Sequence, residues 1–274
     1  LSIVLKKFYP STGENVFVNA GTIYKTFEDD MFDYEIDGLI FTPIDKSVGS
    51  NKLGEKIAPY KKTWNRSFKW KPKEYNTVDF LVTTKKNKDG TDFIGNIFQE
   101  GENTKVTTQL TQYKVLILRV GYDEKKHGYI NPCEHVIQNT LPQRTRRENS
   151  YKPRPFMPPG DKEAYLCNII VDENTNGNKF MLTENKEESF QDETIIEFRY
   201  DTTKDKHWRW IPIRVRHDKT AEYRKGVKNY GNAYHVALSV WKSIHNPITK
   251  KMICTGENIP DYMDDTDTYY HGGG

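Results

Sequence analysis

The stretch of residues 34–83 limits the possible folds most, because apolar runs there enclose charged residues at strand spacing. Its first segment, residues 34–42, is rich in Ile, Leu and Phe around the pair Asp37-Gly38, which predicts an extended strand. Glycine at position 38 lets the backbone closely approach whatever group Asp37 points at. We therefore expect an acid at this strand with a close neighbour beside it.

A second segment in this stretch contains Lys69, Trp70, Lys71 and Pro72 in succession. On a strand the two lysines project from one face and the tryptophan from the other, and the proline ends the strand. A further strand follows within one loop length and carries Asp79 among apolar residues. Carboxylates ligate metal ions and lysines neutralise phosphate oxygens, so Asp37 together with the two lysines predicts a site for a metal-bound polyphosphate.

Each signal also has a purely structural interpretation. Asp-Gly is a common turn dipeptide, and two lysines separated by one residue usually mark the solvated face of an edge strand. A tryptophan between two charges, followed by an acid in an apolar strand, is harder to explain in this way. The combination therefore favours binding.

Composition limits the class of protein. The 274 residues suffice for one large domain or two ordinary ones, and aromatic residues, 13% of the chain, supply much of the core. The net charge of +3 excludes a global basic field that would bind nucleic acid indiscriminately. Three scattered cysteines favour a reducing compartment, and no apolar run approaches a membrane span of about 20 residues. We expect a soluble protein with no membrane partner.

Sequence patterns in the rest of the chain predict helices, strands and a charged turn, the turn at residues 85–90. Periodicity predicts helices at residues 16–27 and 233–244. Residues rich in β-branched and aromatic side chains predict short strands, typical of a small closed barrel, at 113–120, 164–171, 194–200 and 210–215.

Two segments leave alternatives open. The arginine-rich segment 141–160 is interpreted as a solvated loop rather than an RNA-contacting arm, although both remain open. His127, Cys133 and His135 lie close enough in sequence for zinc, but no Cys-x-x-Cys pair supports them and a structural role is favoured.

Three motifs resemble those of a known family. Residues 37–40, Asp-Gly-Leu-Ile, resemble the fourth motif of the covalent nucleotidyltransferases, the superfamily of mRNA capping guanylyltransferases and polynucleotide ligases. Residues 68–72 with 77–80 resemble the fifth motif in its capping-enzyme form. Arg216-His217-Asp218-Lys219 resembles the sixth motif, Arg-x-Asp-Lys. The motifs occur in the family's order over most of residues 30–225, and the resemblance is greatest to the multifunctional capping enzymes of large DNA viruses.

The resemblance implies an α+β fold. Residues 1–105 would form the C-terminal part of a ligase-type, ATP-grasp-like nucleotidyltransferase domain with an antiparallel sheet. Residues 106–228 would form an OB-fold β-barrel. Residues 229–274 would form a C-terminal helix and a linker toward a methyltransferase domain that this sequence does not contain.

The resemblance also implies mRNA 5′ capping, in which GMP passes from GTP through a lysyl-GMP intermediate to diphosphate-ended RNA. Lys69 and Lys71 would contact the α-phosphate, and Asp37 would ligate Mg²⁺ or Mn²⁺. Arg216 and Lys219 would engage the β- and γ-phosphates when the barrel closes over the first domain. Asp218 would help to orient the leaving pyrophosphate.

The lysine nucleophile is the missing part of this pattern. The family's Lys-x-Asp-Gly motif does not occur in the sequence, because the nearest match, at Asp89-Gly90, has Asn87 in place of the lysine. We therefore expect an enzyme fragment that is inactive alone, whose parent chain adds triphosphatase or N7-methyltransferase domains and acts in the cytoplasm, a virion or a viral factory. The alternatives are a non-catalytic module that binds RNA or a partner, and a relative of the polynucleotide ligases.

Overall fold

In a computed structural model of the chain, the described residues are 7–12, 15–34, 36–50, 64, 66–99, 109–128, 137, 151–173, 177 and 179–257. Within them the chain is mixed α+β with antiparallel sheets, and it divides into two compact units, residues 1–75 with 246–274 and residues 76–245. None of the described helices has the length and apolar character needed to cross a membrane.

The first unit packs two helices against a two-stranded ribbon. Its elements are α1 (Val16–Glu28), β1 (Leu39–Phe41), β2 (Phe68–Trp70), a 3₁₀ turn (Lys73–Tyr75) and α5 (Lys250–Thr255). The helix predicted at residues 16–27 is confirmed by α1, whose first turn is capped by the Asn15 side chain. Among its described residues, those that are apolar and buried are Ala20, Leu39 and Trp70, and the Trp70 indole donates to the carbonyl of Ile248 at 2.8 Å.

Within the described residues, the second unit consists of a nine-stranded antiparallel sheet and three helices. Its strands are β3 (Thr77–Thr84), β4 (Ile94–Gln99), β5 (Gln109–Asp123), β6 (Tyr151–Pro155), β7 (Leu166–Glu173), β8 (Lys179–Leu182), β9 (Ser189–Phe190), β10 (Thr194–Tyr200) and β11 (Trp210–Val215). Its helices are α2 (Glu124–His127), α3 (His217–Arg224) and α4 (Tyr234–His245).

The sheet curls into a nearly closed barrel. Strands follow the order β11-β10-β3-β5-β7-β8-β9, and β4 and β6 pair with the long strand β5. One end strand, β11, meets the turn between β8 and β9 at the other end, where the Glu184 amide donates to the Pro212 carbonyl at 2.8 Å. Alternate residues such as Phe80, Leu118 and Phe198 fill the interior, and Trp241 of α4 joins the same apolar cluster.

Several predicted elements are confirmed, and others were missed. The strands predicted at 113–120, 164–171, 194–200 and 210–215, the turn at 85–90 and the helix at 233–244 correspond to observed elements. The interpretation of 141–160 as a loop is wrong at Tyr151–Pro155, which forms β6 against β5, whereas residues 156–160 have no regular secondary structure. Residues 77–99, assigned from sequence to the first domain, contribute β3 and β4 to the barrel sheet. The proposed domain limits at 105 and 228 stay predictions.

Candidate functional site

Asp79 is the centre of the charged cluster in the second unit. It lies on β3 between Val78 and Phe80, which point into the barrel core, so its side chain points to the outer face of the sheet. The residue is only 5% exposed. Asn232 binds both backbone groups of Asp79. Its side-chain oxygen accepts from the Asp79 amide at 2.8 Å, and its backbone amide donates to the Asp79 carbonyl at 2.7 Å.

Two cations of the sixth motif meet at this carboxylate. Arg216 Nη1 lies 2.6 Å from Asp79 Oδ2, and Lys219 Nζ lies 2.5 Å from the same oxygen. Arginine and lysine three residues apart at the start of a helix share one face, so both side chains reach the same group. The pKa of Arg216 is raised, because attraction to Asp79 and to Asp218 outweighs the burial that lowers it.

Helix α3 aims this pair because it is fixed to β10 at its first turn. The Arg216 amide donates to the Ile195 carbonyl at 2.8 Å, and the buried Thr220 hydroxyl accepts from the Ile195 amide at 3.0 Å. Both backbone groups of one β10 residue therefore hold the start of the helix. This attachment sets the height and rotation of Arg216 and Lys219 over Asp79.

Asp218, the acid of the same motif, points away from this contact. Its side chain is 68% exposed and lies 3.4 Å from Arg216. A hydrogen bond from the Lys219 backbone amide, followed by one from Arg216, lowers the pKa of Asp218. Since Arg216 and Lys219 keep 23% and 25% of their side chains exposed, their remaining N–H donors can reach an anion from solvent.

The first unit brings together two of its three predicted site residues. Asp37 precedes β1 and Lys71 follows β2, and the antiparallel pairing of Leu39 with Trp70 places both at the same end of the ribbon. The Lys71 ammonium forms an ion pair with the Asp37 carboxylate, whose side chain is 69% exposed. Lys69 is exposed and lies opposite Ile40 in the register.

Gly38 is required by the close approach of β1 to β2, which leaves no space for a side chain at this position. A Cβ atom at this position would lie 2.0 Å from the Trp70 carbonyl oxygen. The close approach expected from sequence is therefore an approach to the neighbouring strand. It places Asp37 directly beside Lys71.

The site residues thus form two sets, one in each compact unit. Asp37, Lys69 and Lys71 belong to the first unit, and the set of Arg216, Asp218 and Lys219 belongs to the second. The joint action of the two sets on one triphosphate stays a prediction.

Sequence reasoning assigned no role to Asp79 and expected no helix at the sixth motif. A signal for Asp79 was present, because an acid in an otherwise apolar strand needs a cationic partner when it is buried. No local signal identified that partner, since Arg216 and Lys219 lie 137 and 140 residues further along the chain.

The zinc hypothesis receives no support from the described residues. His127 ends α2, and its ring packs against Tyr122 and Tyr234 at centroid distances of 5.4 and 5.2 Å. Burial, and then the charge of a neighbouring histidine, lower the pKa of His127. Within the described part of the chain no group of three metal-ligating side chains occurs, and Cys133 and His135 lie outside it.

Comparisons with known proteins agree with the resemblance of the motifs. No family model matches the chain. The chain is 30% identical over 249 residues to a protein of Acanthamoeba polyphaga mimivirus named as a probable mRNA-capping enzyme. The matched region covers 89% of this chain but 18% of the viral protein. This relative carries the name of the family that the three motifs resemble.

Proposed function

We propose that this chain is a part of an mRNA guanylyltransferase that binds the triphosphate of GTP and, later, the 5′ end of the acceptor RNA. One observation carries the proposal: Asp79 of the fifth motif and Arg216 and Lys219 of the sixth meet at one buried carboxylate. The similarity to a protein named as a probable mRNA-capping enzyme supports the same family.

The sixth-motif cations would stabilise the charge of the leaving pyrophosphate. Asp79 holds both groups in place and balances one of the two positive charges, and an arriving phosphate would compete with the exposed Asp218 for Arg216. The planar fork of Arg216 suits two phosphate oxygens, and the ammonium of Lys219 acts as a point charge. As the bond from the α-phosphorus to pyrophosphate breaks, negative charge accumulates on the oxygens that these donors would contact.

In the first unit, Lys71 and Lys69 would neutralise the α-phosphate. Asp37 offers one carboxylate for Mg²⁺ or Mn²⁺, a donor set that fits such an ion only together with phosphate oxygens and water. The bound ion would supply Lewis-acid neutralisation of phosphate charge. On nucleotide binding, Lys71 would exchange its contact with Asp37 for a phosphate oxygen.

The covalent step needs a lysine that this chain does not identify. In the proposed reaction that lysine bonds to the α-phosphorus and releases pyrophosphate, and a terminal phosphate oxygen of diphosphate-ended RNA then displaces it from GMP. Because Lys-x-Asp-Gly is absent from the sequence, we expect no radiolabelled GMP to remain on this chain after denaturation. Retained label would contradict that expectation.

Calorimetric titration with inorganic tripolyphosphate, GTP and GMP tests the triphosphate site. We expect R216Q and K219Q each to weaken tripolyphosphate binding about tenfold, because each removes a charge-assisted hydrogen bond. Binding of GMP, which lacks the outer phosphates, should be unchanged. The matched control is R214Q, since Arg214 is 60% exposed and pairs with Glu197 instead. Equal losses in R214Q and R216Q, or no loss in R216Q, would reject the assignment.

The absent nucleophile motif favours a second candidate, a module that binds RNA or a partner without catalysis. The ligase relationship is a third. Mass spectrometry of the longer protein after incubation with GTP and ATP distinguishes these three candidate functions. Attached GMP supports capping, attached AMP supports ligation, and neither attachment supports the non-catalytic module.

A further inference from the structure

A second cationic group lies on the same outer face of the barrel as Asp79. Arg119 of β5 alternates with the core residues Leu118 and Val120, so its side chain points outward. Its Nε donates to the Thr83 hydroxyl at 2.9 Å. Thr83 follows Asp79 by four residues on β3, about 13 Å along the strand.

The hydrogen-bond partner of Arg119 is a neutral hydroxyl, which does not balance its positive charge. Burial lowers the pKa of Arg119, and the nearby positive charge of Arg154 lowers it further. Arg154 itself forms an ion pair with Glu124. The negative charge of Asp192 raises the pKa of Arg119, but Asp192 already pairs with Lys86 at 2.8 Å. Among the described residues no carboxylate forms an ion pair with Arg119.

Three half-buried tyrosines form a row beside this guanidinium. Tyr223 of α3 shares a hydrogen bond with Glu193 and is close enough to Arg119 for each of the two to influence the pKa of the other. Tyr230 contacts Tyr223 and Tyr151, with ring centroids 6.1 and 5.6 Å apart. Tyr151 lies over Gly121 of β5, where a Cβ atom would be 1.8 Å from its hydroxyl oxygen.

Helix α3 connects this row to the sixth-motif cations. Lys219 and Tyr223 are four residues apart and therefore lie on one helix face. That face directs Lys219 toward Asp79 and Tyr223 toward Arg119. A chain with phosphate at Lys219 would therefore continue over Arg119 and the tyrosines.

We propose that Arg119 and the row formed by Tyr223, Tyr230 and Tyr151 bind the single-stranded 5′ segment of the acceptor RNA. Arg119 contacts a backbone phosphate, and the exposed parts of the tyrosine rings stack against bases. A cation whose charge no paired carboxylate balances, beside aromatic rings, suits the binding of single-stranded nucleic acid, because every nucleotide offers a phosphate and the π-face of a base. The inference rests on the proposed function, because it takes the sixth motif as the position of the terminal phosphates.

Fluorescence anisotropy with a labelled 5′-diphosphate RNA of about ten nucleotides tests the proposal. We expect R119M to weaken binding about tenfold and to reduce the slope of log affinity against log salt by about 0.7, the value for one phosphate on a single strand. R119K should lose less, and Y223L should weaken binding about fivefold through lost stacking. Lys242, exposed on α4, supplies the control K242Q, which removes one positive charge elsewhere and should leave binding unchanged.

Two further measurements separate the outcomes. Thermal unfolding of R119M and Y223L shows whether each variant is folded, and R119K provides a folded alternative if R119M is not. R119M should retain wild-type affinity for tripolyphosphate, so failure of this inference and failure of the triphosphate assignment give different results. Undetectable RNA binding by the wild type, equal losses in R119M and K242Q, or equal Arg119-dependent binding of polyglutamate would overturn the RNA assignment.

Discussion

Replacement of Asp79 by asparagine tests the central contact of the second unit. The D79N substitution would preserve the shape of the side chain and remove its charge, while Arg216 and Lys219 would lose the carboxylate that both now contact. The matched control is D218N, because Asp218 belongs to the same motif but is 68% exposed and lies 3.4 Å from Arg216.

The structure sets the expected size of the effect. Removing one partner of a fully buried ion pair costs about 3–5 kcal/mol, because the remaining charge is left without compensation. Here Arg216 and Lys219 keep 23% and 25% of their side chains exposed, so water compensates part of the loss. Asparagine also retains one acceptor oxygen. We therefore expect D79N to destabilise the barrel unit by about 2 kcal/mol.

Urea unfolding followed by tryptophan fluorescence, with thermal unfolding in parallel, measures this change. A loss of that size lowers the melting temperature of a domain of 150–250 residues by about 4–8 °C. D218N should stay within about 0.5 kcal/mol of the wild type. In a background lacking both cations, R216M/K219M, the D79N substitution should cost clearly less. An unchanged unfolding midpoint in D79N, or the same cost in both backgrounds, would refute the reasoning.

Two further predictions concern pH and backbone packing. Although burial opposes the shift, hydrogen bonds from Lys114 and a second lysine hold the pKa of Asp92 below its usual range. This group therefore stabilises the fold above its unfolded pKa of about 3.9 and loses the contribution as pH falls below that value, so D92N should flatten acid unfolding curves there. In the first unit, G38A should cost about 1–3 kcal/mol, because the added Cβ would lie 2.0 Å from the Trp70 carbonyl oxygen. Its control G21A, on α1 with 3.5 Å to the nearest atom, should be neutral or stabilising in the same urea titration, and the reverse order would contradict the structure.

Elements with strong local patterns were predictable from the sequence. Helices α1 and α4 follow the spacing of apolar residues, and the strands at 194–200 and 210–215 follow their β-branched and aromatic content. Helix α3 was missed because its polar sequence, from His217 to Arg224, has no apolar periodicity. Strand β6 was missed because its two prolines and two basic residues are typical of a loop, and pairing with β5 outweighs that preference.

The sequence by itself determined which residue types were available for phosphate chemistry and which family their motifs resemble. It also marked Asp79 as a charge that needs a partner, because an isolated buried carboxylate is unfavourable in any fold. Only the tertiary structure decided that this partner is the Arg216 and Lys219 pair, and that Arg119 lies on the same face beside three tyrosines. The physical reason is that strand pairing and the attachment of α3 to β10 set these neighbours across more than a hundred residues, a distance over which local periodicity carries no information.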